Sequence, residues 1–191
     1  MIIHCDGPPV SVKCCNRFVV SDDRSEPSPV EAPYRNKRTA RRALEEIYAR
    51  GNVELLDELI HFEFVDHEPS HPELPTGPDS VRETVQQLQD AFSDLRFEVE
   101  DEIAEGEKVV QLVVMHGRHT GSLAGRDPTG RSFAVRHIYI WRIAGDGRII
   151  EHWGSRDDLG LLQQLRLVAP AGEDEPAQST MPGRTGPGMI S

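Results

Sequence analysis

Apolar residues recur every three to four positions in the first half of the chain, and every second position through most of the second half. These are the spacings of amphipathic helices and half-buried strands. Over 36–50, Ala40, Ala43, Leu44 and Ile47 fall on one helical face, with charged residues around the rest. Gly51 stops that helix, and Asn52 is placed to cap a short second one through Leu55, Leu56 and Leu59. Residues 62–65 read as a short strand or a buried turn, and 67–78, rich in Pro and His, as loop. Asp79 or Ser80 can cap a third helix running to Phe92, with Val81, Val85, Leu88 and Phe92 as its stripe.

After Ser93-Asp94 the period changes. Leu95, Phe97, Val99 and Ile103 alternate with Arg96, Glu98, Glu100 and Glu102, the pattern of a strand with one face wet. Gly106 turns the chain, and 109–119 is a long strand with apolar residues on both faces. A Gly/Pro loop over 121–131 leads to a second long strand over 133–143. Gly145-Asp146-Gly147 makes a hairpin turn, 149–153 is the return strand, and Leu159, Leu161, Leu162 and Leu165 mark a last short helix. Helices first and a bent antiparallel meander afterwards define an α+β fold, a cone-shaped barrel with N-terminal helices packed in the sheet. The space between sheet and helices is the expected seat of chemistry or binding.

The periodic region is bounded on both sides. Residues 1–35 scatter Pro, Ser, Asp and Glu without period and read as a disordered arm, and 169–191 read as a Gly/Pro-rich tail. That leaves one domain over 36–168, long enough to bury a core without disulfides. A net charge of −11 repels phosphate backbones and anionic lipid, which disfavours nucleic acid and membrane as partners. No stretch approaches the ~18 apolar residues of a spanning helix. Met1-Ile2-Ile3, broken by Asp6, Pro8 and Pro9, is no signal peptide, so a cytoplasmic protein is expected.

Metal chemistry fits poorly. Cys5, Cys14 and Cys15, with His4 near, lack a CxxC spacing and read as incidental thiols. His67, Glu68 and His71 are separated by Pro69 in a loop, and His116 and His119 fall on opposite faces of one strand. The segment 125–131 lacks the pattern of a phosphate-binding loop.

Three segments together carry a family resemblance. They are Phe64-Val65-Asp66-His67-Glu68-Pro69; Gly117-Arg118-His119-Thr120-Gly121 with Gly125-Arg126-Asp127-Pro128-Thr129-Gly130-Arg131; and Ile149-Ile150-Glu151-His152-Trp153 with Asp157-Asp158-Leu159-Gly160-Leu161-Leu162-Gln163-Gln164-Leu165. In this order the chain resembles the SnoaL-like polyketide cyclases of the nuclear-transport-factor-2-like superfamily, over roughly 36–167. The resemblance implies ring closure by intramolecular aldol condensation on a small hydrophobic carbonyl compound, with no metal or organic cofactor. It also implies an acidic residue as general base and acid, assisted by a sheet histidine, and a homo-oligomer, often a dimer through the outer sheet face.

The candidate acid–base residues are Glu151, Asp157 and His137. Glu151 is expected among apolar neighbours if its face, counted by period 2 with Ile149 and Trp153, points inward; otherwise it is a surface glutamate or a salt-bridge partner for Arg142. Asp157 matches the aspartate that ends the family's last strand, or else caps the final helix, a role Asp158 could also fill. His137, in a row with Val135, Tyr139 and Trp141, corresponds to the family's sheet histidine and would hydrogen-bond an enolate oxygen, or it is a satisfied core histidine. His67, His119, Tyr139, Trp141, Trp153 and Phe92 are candidate pocket residues, whose rings would suit a flat, polycyclic ligand. Two alternatives stand beside the cyclase: a non-catalytic small-molecule-binding or dimerisation module, and a cofactor-free epoxide-type hydrolase.

Overall fold

A computed structural model describes residues 31–69 and 75–169. Cys5, Cys14, Cys15, His71, most of the N-terminal arm and nearly all of the C-terminal tail lie outside the described residues. Helix α1 (Glu31–Arg42) continues without a break as a π-helical stretch over Ala43–Ala49. It begins five residues before the expected start at 36. Pro33 is no obstacle there, because the N–H it lacks would be unpaired in a first turn anyway. The expected stripe is buried: Ala40, Ala43, Leu44 and Ile47 are all fully covered. A 3₁₀ turn over Val53–Leu55 leads into the one-turn helix α2 (Leu56–Leu59), and Asn52 makes no capping bond from its side chain.

Strand β1 (Ile60–Asp66) precedes α3 (Pro78–Ala91). The residue that caps α3 is Gly77, not Asp79 or Ser80. Its φ of 70° suits glycine, and an added Cβ would stand 2.8 Å from the Phe62 carbonyl oxygen. The meander follows as β2 (Phe92–Glu105), β3 (Lys108–His119), β4 (Ser132–Ile143) and β5 (Ile149–Arg156), closed by α4 (Asp158–Gln164). The sheet order is β1-β5-β4-β3-β2. All neighbours are antiparallel except β1, which lies parallel to β5. Register shifts in β2 at Ser93/Arg96 and Val99/Asp101 bend the sheet around the helices.

The apolar interior divides in two. A larger cluster joins Leu44 and Ile47 to Val109, Val113, Trp141, Ile143 and Ile149, and a smaller one gathers Phe92, Met115, Phe133, Val135 and Leu165. The inward row of β4 passes from one to the other: Phe133 and Val135 belong to the small cluster, Tyr139, Trp141 and Ile143 to the large one. His137 lies between them and belongs to neither, although it is only 3% exposed. The seam between the clusters is where polar groups enter the interior.

Candidate active site

Four polar side chains meet on the inner sheet face near this seam: Asp66 at the end of β1, His152 on β5, and His137 and Tyr139 on β4. Parallel pairing sets Asp66 beside His152, and antiparallel pairing sets Trp141 opposite His152. The His152 Nδ1 lies 2.9 Å from Asp66 Oδ1. Its ring lies against Trp141 at 4.4 Å between centroids and against Tyr139 at 5.4 Å. Burial alone would raise the Asp66 carboxyl. The hydrogen bond and charge of His152, the Glu68 N–H and the charge of Arg156 outweigh burial and hold Asp66 below the usual carboxylate range. Asp66 is therefore an anion and an acceptor, which places a His152 proton on Nδ1 and turns Nε2 toward the interior. That Nε2 is buried and has no hydrogen-bond partner among the described residues.

His137 has the complementary arrangement. Its Nδ1 accepts the Asp157 backbone N–H at 3.3 Å, so in the neutral ring the proton sits on Nε2. That Nε2–H is also buried without a partner among the described residues. Burial lowers the pKa of His137 from its ordinary 6.5, Arg156 pushes the same way, and Asp158 and Asp157 oppose it. His137 stacks on Tyr139 at 5.6 Å between centroids. Burial and the nearby Asp66 charge push both the Tyr48 and Tyr139 hydroxyls well above the usual phenol range, so both remain neutral donors; Arg156 opposes the shift at Tyr139. The seam thus holds one donor, His137 Nε2–H, and one nitrogen, His152 Nε2, that accepts whenever its ring carries a single proton. Unpaired polar atoms in a dry interior are costly, and an ordered water or a ligand has to satisfy them.

The lowered pKa of His137 has a consequence for stability. Above about pH 6.5 the ring is neutral in folded and unfolded chains alike and contributes no slope. As pH falls through that value the unfolded chain takes the proton first, so stability drops until the folded pKa is passed. His137→Asn is expected to flatten this part of the profile. Urea midpoints for parent and variant between pH 7.5 and 5 check it; parallel profiles would contradict a buried neutral His137.

The two carboxylates expected to do the chemistry lie elsewhere. Glu151 was counted on one face with Ile149 and Trp153, but a register shift at Arg142/Ile143 breaks the alternation. Ile149 and His152 point inward, while Glu151 and Trp153 face outward. Glu151 accepts from Arg142 Nε at 2.9 Å, with His67 Nε2 3.4 Å away on its other oxygen. The Arg142 hydrogen bond holds its carboxyl below the ordinary value. Trp153 stacks on His67 at 4.4 Å and carries the Lys108 ammonium at 5.0 Å, so both rings sit on the outer face rather than on a pocket wall. Asp157 is the N-cap of α4, its Oδ1 accepting from the Gly160 N–H at 2.8 Å. Its backbone, not its carboxylate, reaches the site, through the N–H donated to His137.

Phe92 belongs to the small cluster, and the buried ring of His119 lies 5.9 Å from it. His119 Nδ1 accepts the Thr129 N–H at 3.1 Å and so ties down the 121–131 connection. Gly121 closes that connection onto α3, where an added Cβ would overlap the Asp90 carbonyl oxygen at 1.8 Å. Tyr139 and Trp141 face inward as expected. Asp66 and His152 were passed over in the sequence, though both stand in the quoted segments. A groove of about 550 Å³ lies on the opposite, outer face between Glu98, His116, Arg136 and Gln164. There Arg136 donates to Glu100 and Arg96 lies 3.0 Å from His116 Nδ1, while His116 Nε2 is buried without a partner among the described residues. What sets the inner site apart is the carboxylate of Asp66 on His152 and the aromatic rings of Tyr139 and Trp141 beside it.

The comparisons agree with this architecture. TsrD from Streptomyces laurentii superposes with a TM-score of 0.64 at 28% identity, over 71% of this chain and 97% of that one. The α+β fold of this chain is that of the SnoaL-like, nuclear-transport-factor-2-like proteins. Residues 38–165 match the model of the SnoaL-like polyketide cyclases, and the chain belongs to that family. It is 35% identical to the aklanonic acid methyl ester cyclase DnrD of Streptomyces peucetius, over 69% of this chain and 92% of the relative. To the nogalonic acid methyl ester cyclase of Streptomyces nogalater it is 33% identical, over 60% of this chain and 86% of the relative. No helix among the described residues is long and apolar enough to cross a membrane.

Proposed function

We propose that this protein closes a ring by intramolecular aldol condensation, with His152 as general base and acid, Asp66 as the group that orients it, and His137 as the donor to the enolate oxygen. Four histidines bury an Nε2 without a partner among the described residues, His116, His119, His137 and His152. The observation that carries this reading is that two of them, His152 and His137, stand on the paired strands β5 and β4, His152 with Asp66 on its Nδ1 and His137 with the Asp157 N–H on its own. His152 takes the proton from a carbon next to a carbonyl. The electron pair moves onto the carbonyl oxygen, which receives the hydrogen bond of His137. The enolate carbon attacks a second carbonyl of the same molecule, a C–C bond forms, and the new alkoxide recovers the proton from His152. Holding both ends of one molecule together supplies much of the rate gain. The substrate is a flat polycyclic ketone bearing an ester; the Streptomyces relatives are named as cyclases of acid methyl esters. Glu151 and Asp157 act in this scheme as a surface ion-pair partner and a helix cap. The working form is a cytoplasmic homodimer joined through the outer sheet face, where Ile103 and Ile138 are exposed.

Asp66→Asn tests the orientation directly. An amide offers an N–H to Nδ1 and turns His152 over to the tautomer that carries its proton on Nε2, which removes the base without removing the ring. We expect kcat on aklanonic acid methyl ester to fall by about 10²-fold or more, with KM little changed. Parent-like turnover in this variant sinks the dyad.

A further inference from the structure

On the inner face of β5, His152, Gly154 and Arg156 follow one another in a row, set opposite Trp141, Tyr139 and His137 of β4. Gly154 is the one position of this row without a side chain, and the space it leaves is bounded by the reacting groups. A Cβ built there would stand 3.5 Å from His152 Nε2, 3.3 Å from its Cε1 and 3.5 Å from the Tyr139 ring. Its φ is not in the left-handed region, so the backbone does not require glycine there. What the missing side chain provides is room beside the free nitrogen of the base. One step further out stands Arg156. Its Nη1 donates to the Glu68 carbonyl at 2.9 Å and its Nε lies 3.5 Å from Asp158 Oδ2, which leaves Nη2 without a partner among the described residues. Its charge is felt at Asp66, His137 and Tyr139 alike.

We infer that Gly154 and Arg156 set the substrate specificity of this site. The notch over Gly154 admits the carbon that gives up its proton to His152, and Arg156, at the mouth, binds the oxygens of a carboxyl or ester group on the same molecule. This inference rests on the acid–base role proposed above for His152. A guanidinium donates to either oxygen pair, and it favours the charged carboxylate over the neutral ester.

The test is binding to the full chain, read by quenching of tryptophan fluorescence, with anthraquinone-2-carboxylate, its methyl ester and unsubstituted anthraquinone as probes. The parent is expected to bind the carboxylate most tightly and the unsubstituted ring most weakly. Arg156→Gln should weaken the carboxylate by about tenfold and leave the unsubstituted ring within twofold, with Arg156→Lys recovering part of the loss. Gly154→Val should weaken all three probes by at least tenfold, with a small fall in the thermal midpoint because the His152 ring must give way to a Cβ 3.3 Å from its Cε1. Binding unchanged in both variants overturns this inference and leaves the acid–base assignment standing. Failure of the parent to bind any probe overturns both. A Gly154→Val protein that does not fold transfers the test of the notch to Gly154→Ala, which must show the same uniform weakening.

Discussion

His152→Gln is expected to lower turnover of the ester substrate by about 10²–10⁴-fold, the range over which general bases act. Glutamine fills much of the volume of the ring but presents no basic nitrogen to the substrate. The loss should therefore appear in kcat, with substrate affinity kept. Glu151→Gln, one residue away, is the internal control. Its carboxylate faces outward into the Arg142 pair, and its removal should leave kcat within about twofold, as surface ion pairs contribute little. Steady-state kinetics on both variants decide the matter. An equal loss in Glu151→Gln, or none in His152→Gln, would move the base to the other face of β5.

The second large effect is on stability. Trp141 is 1% exposed, lies against His152, Tyr139 and Tyr48, and donates its indole N–H to Gln111 Oε1 at 2.9 Å. Gln111 is fully buried and passes the chain on to Glu102 at 3.2 Å, which Arg41 of α1 holds at 2.7 Å. Trp141→Ala should cost about 3–5 kcal/mol, from a cavity in the larger cluster and a stranded amide oxygen. That is a large part of the about 5–15 kcal/mol that holds an ordinary domain together. Trp141→Phe keeps most of the volume and should cost clearly less. Urea unfolding of the two variants measures the difference. Equal costs would mean that the indole N–H, and not the packing, dominates.

The helices were legible because their apolar stripes are uninterrupted. Ala40, Ala43, Leu44 and Ile47 repeat at helical spacing and end at a glycine, and Val81 and Val85 keep a helical spacing in α3. The long strands were legible because alternation runs for many residues, as in the inward row from Phe133 to Ile143. Counting by twos failed at a single place. The register shift beside Ile143 changes which β5 residues face inward, and nothing local in Ile149-Ile150-Glu151-His152-Trp153 announces it. That one step exchanged His152 for Glu151 as the inward residue, and placed Trp153 in a pocket it does not line.

Asp66 was hidden for a different reason. Its meaning depends on a partner 86 positions away, and residues 62–65 alone could be read as a strand or a turn. A signal was present in the form of a histidine and an acid within the two segments that flank the domain, but only the parallel β1–β5 pairing shows that they touch. His137 was found because it interrupts an apolar row. The same row could not tell that its neighbours belong to two separate clusters with the imidazole at their boundary.

The pairing of β1 with β5 also bears on how the protein comes into being. Every other strand contact in the sheet joins consecutive strands and can zip up locally, whereas β1 must wait for the last strand of the domain. Contacts of such long sequence separation form late and slowly, since loop closure must be met before they reward it. On a ribosome, the chain leaves the tunnel with Asp66 long before His152 exists. The meander can form while the Asp66–His152 hydrogen bond is still missing. Activity should therefore arise in one step at the end of folding, after the bulk of the secondary structure, and a nascent chain that stops short of β5 carries a sheet but no working site.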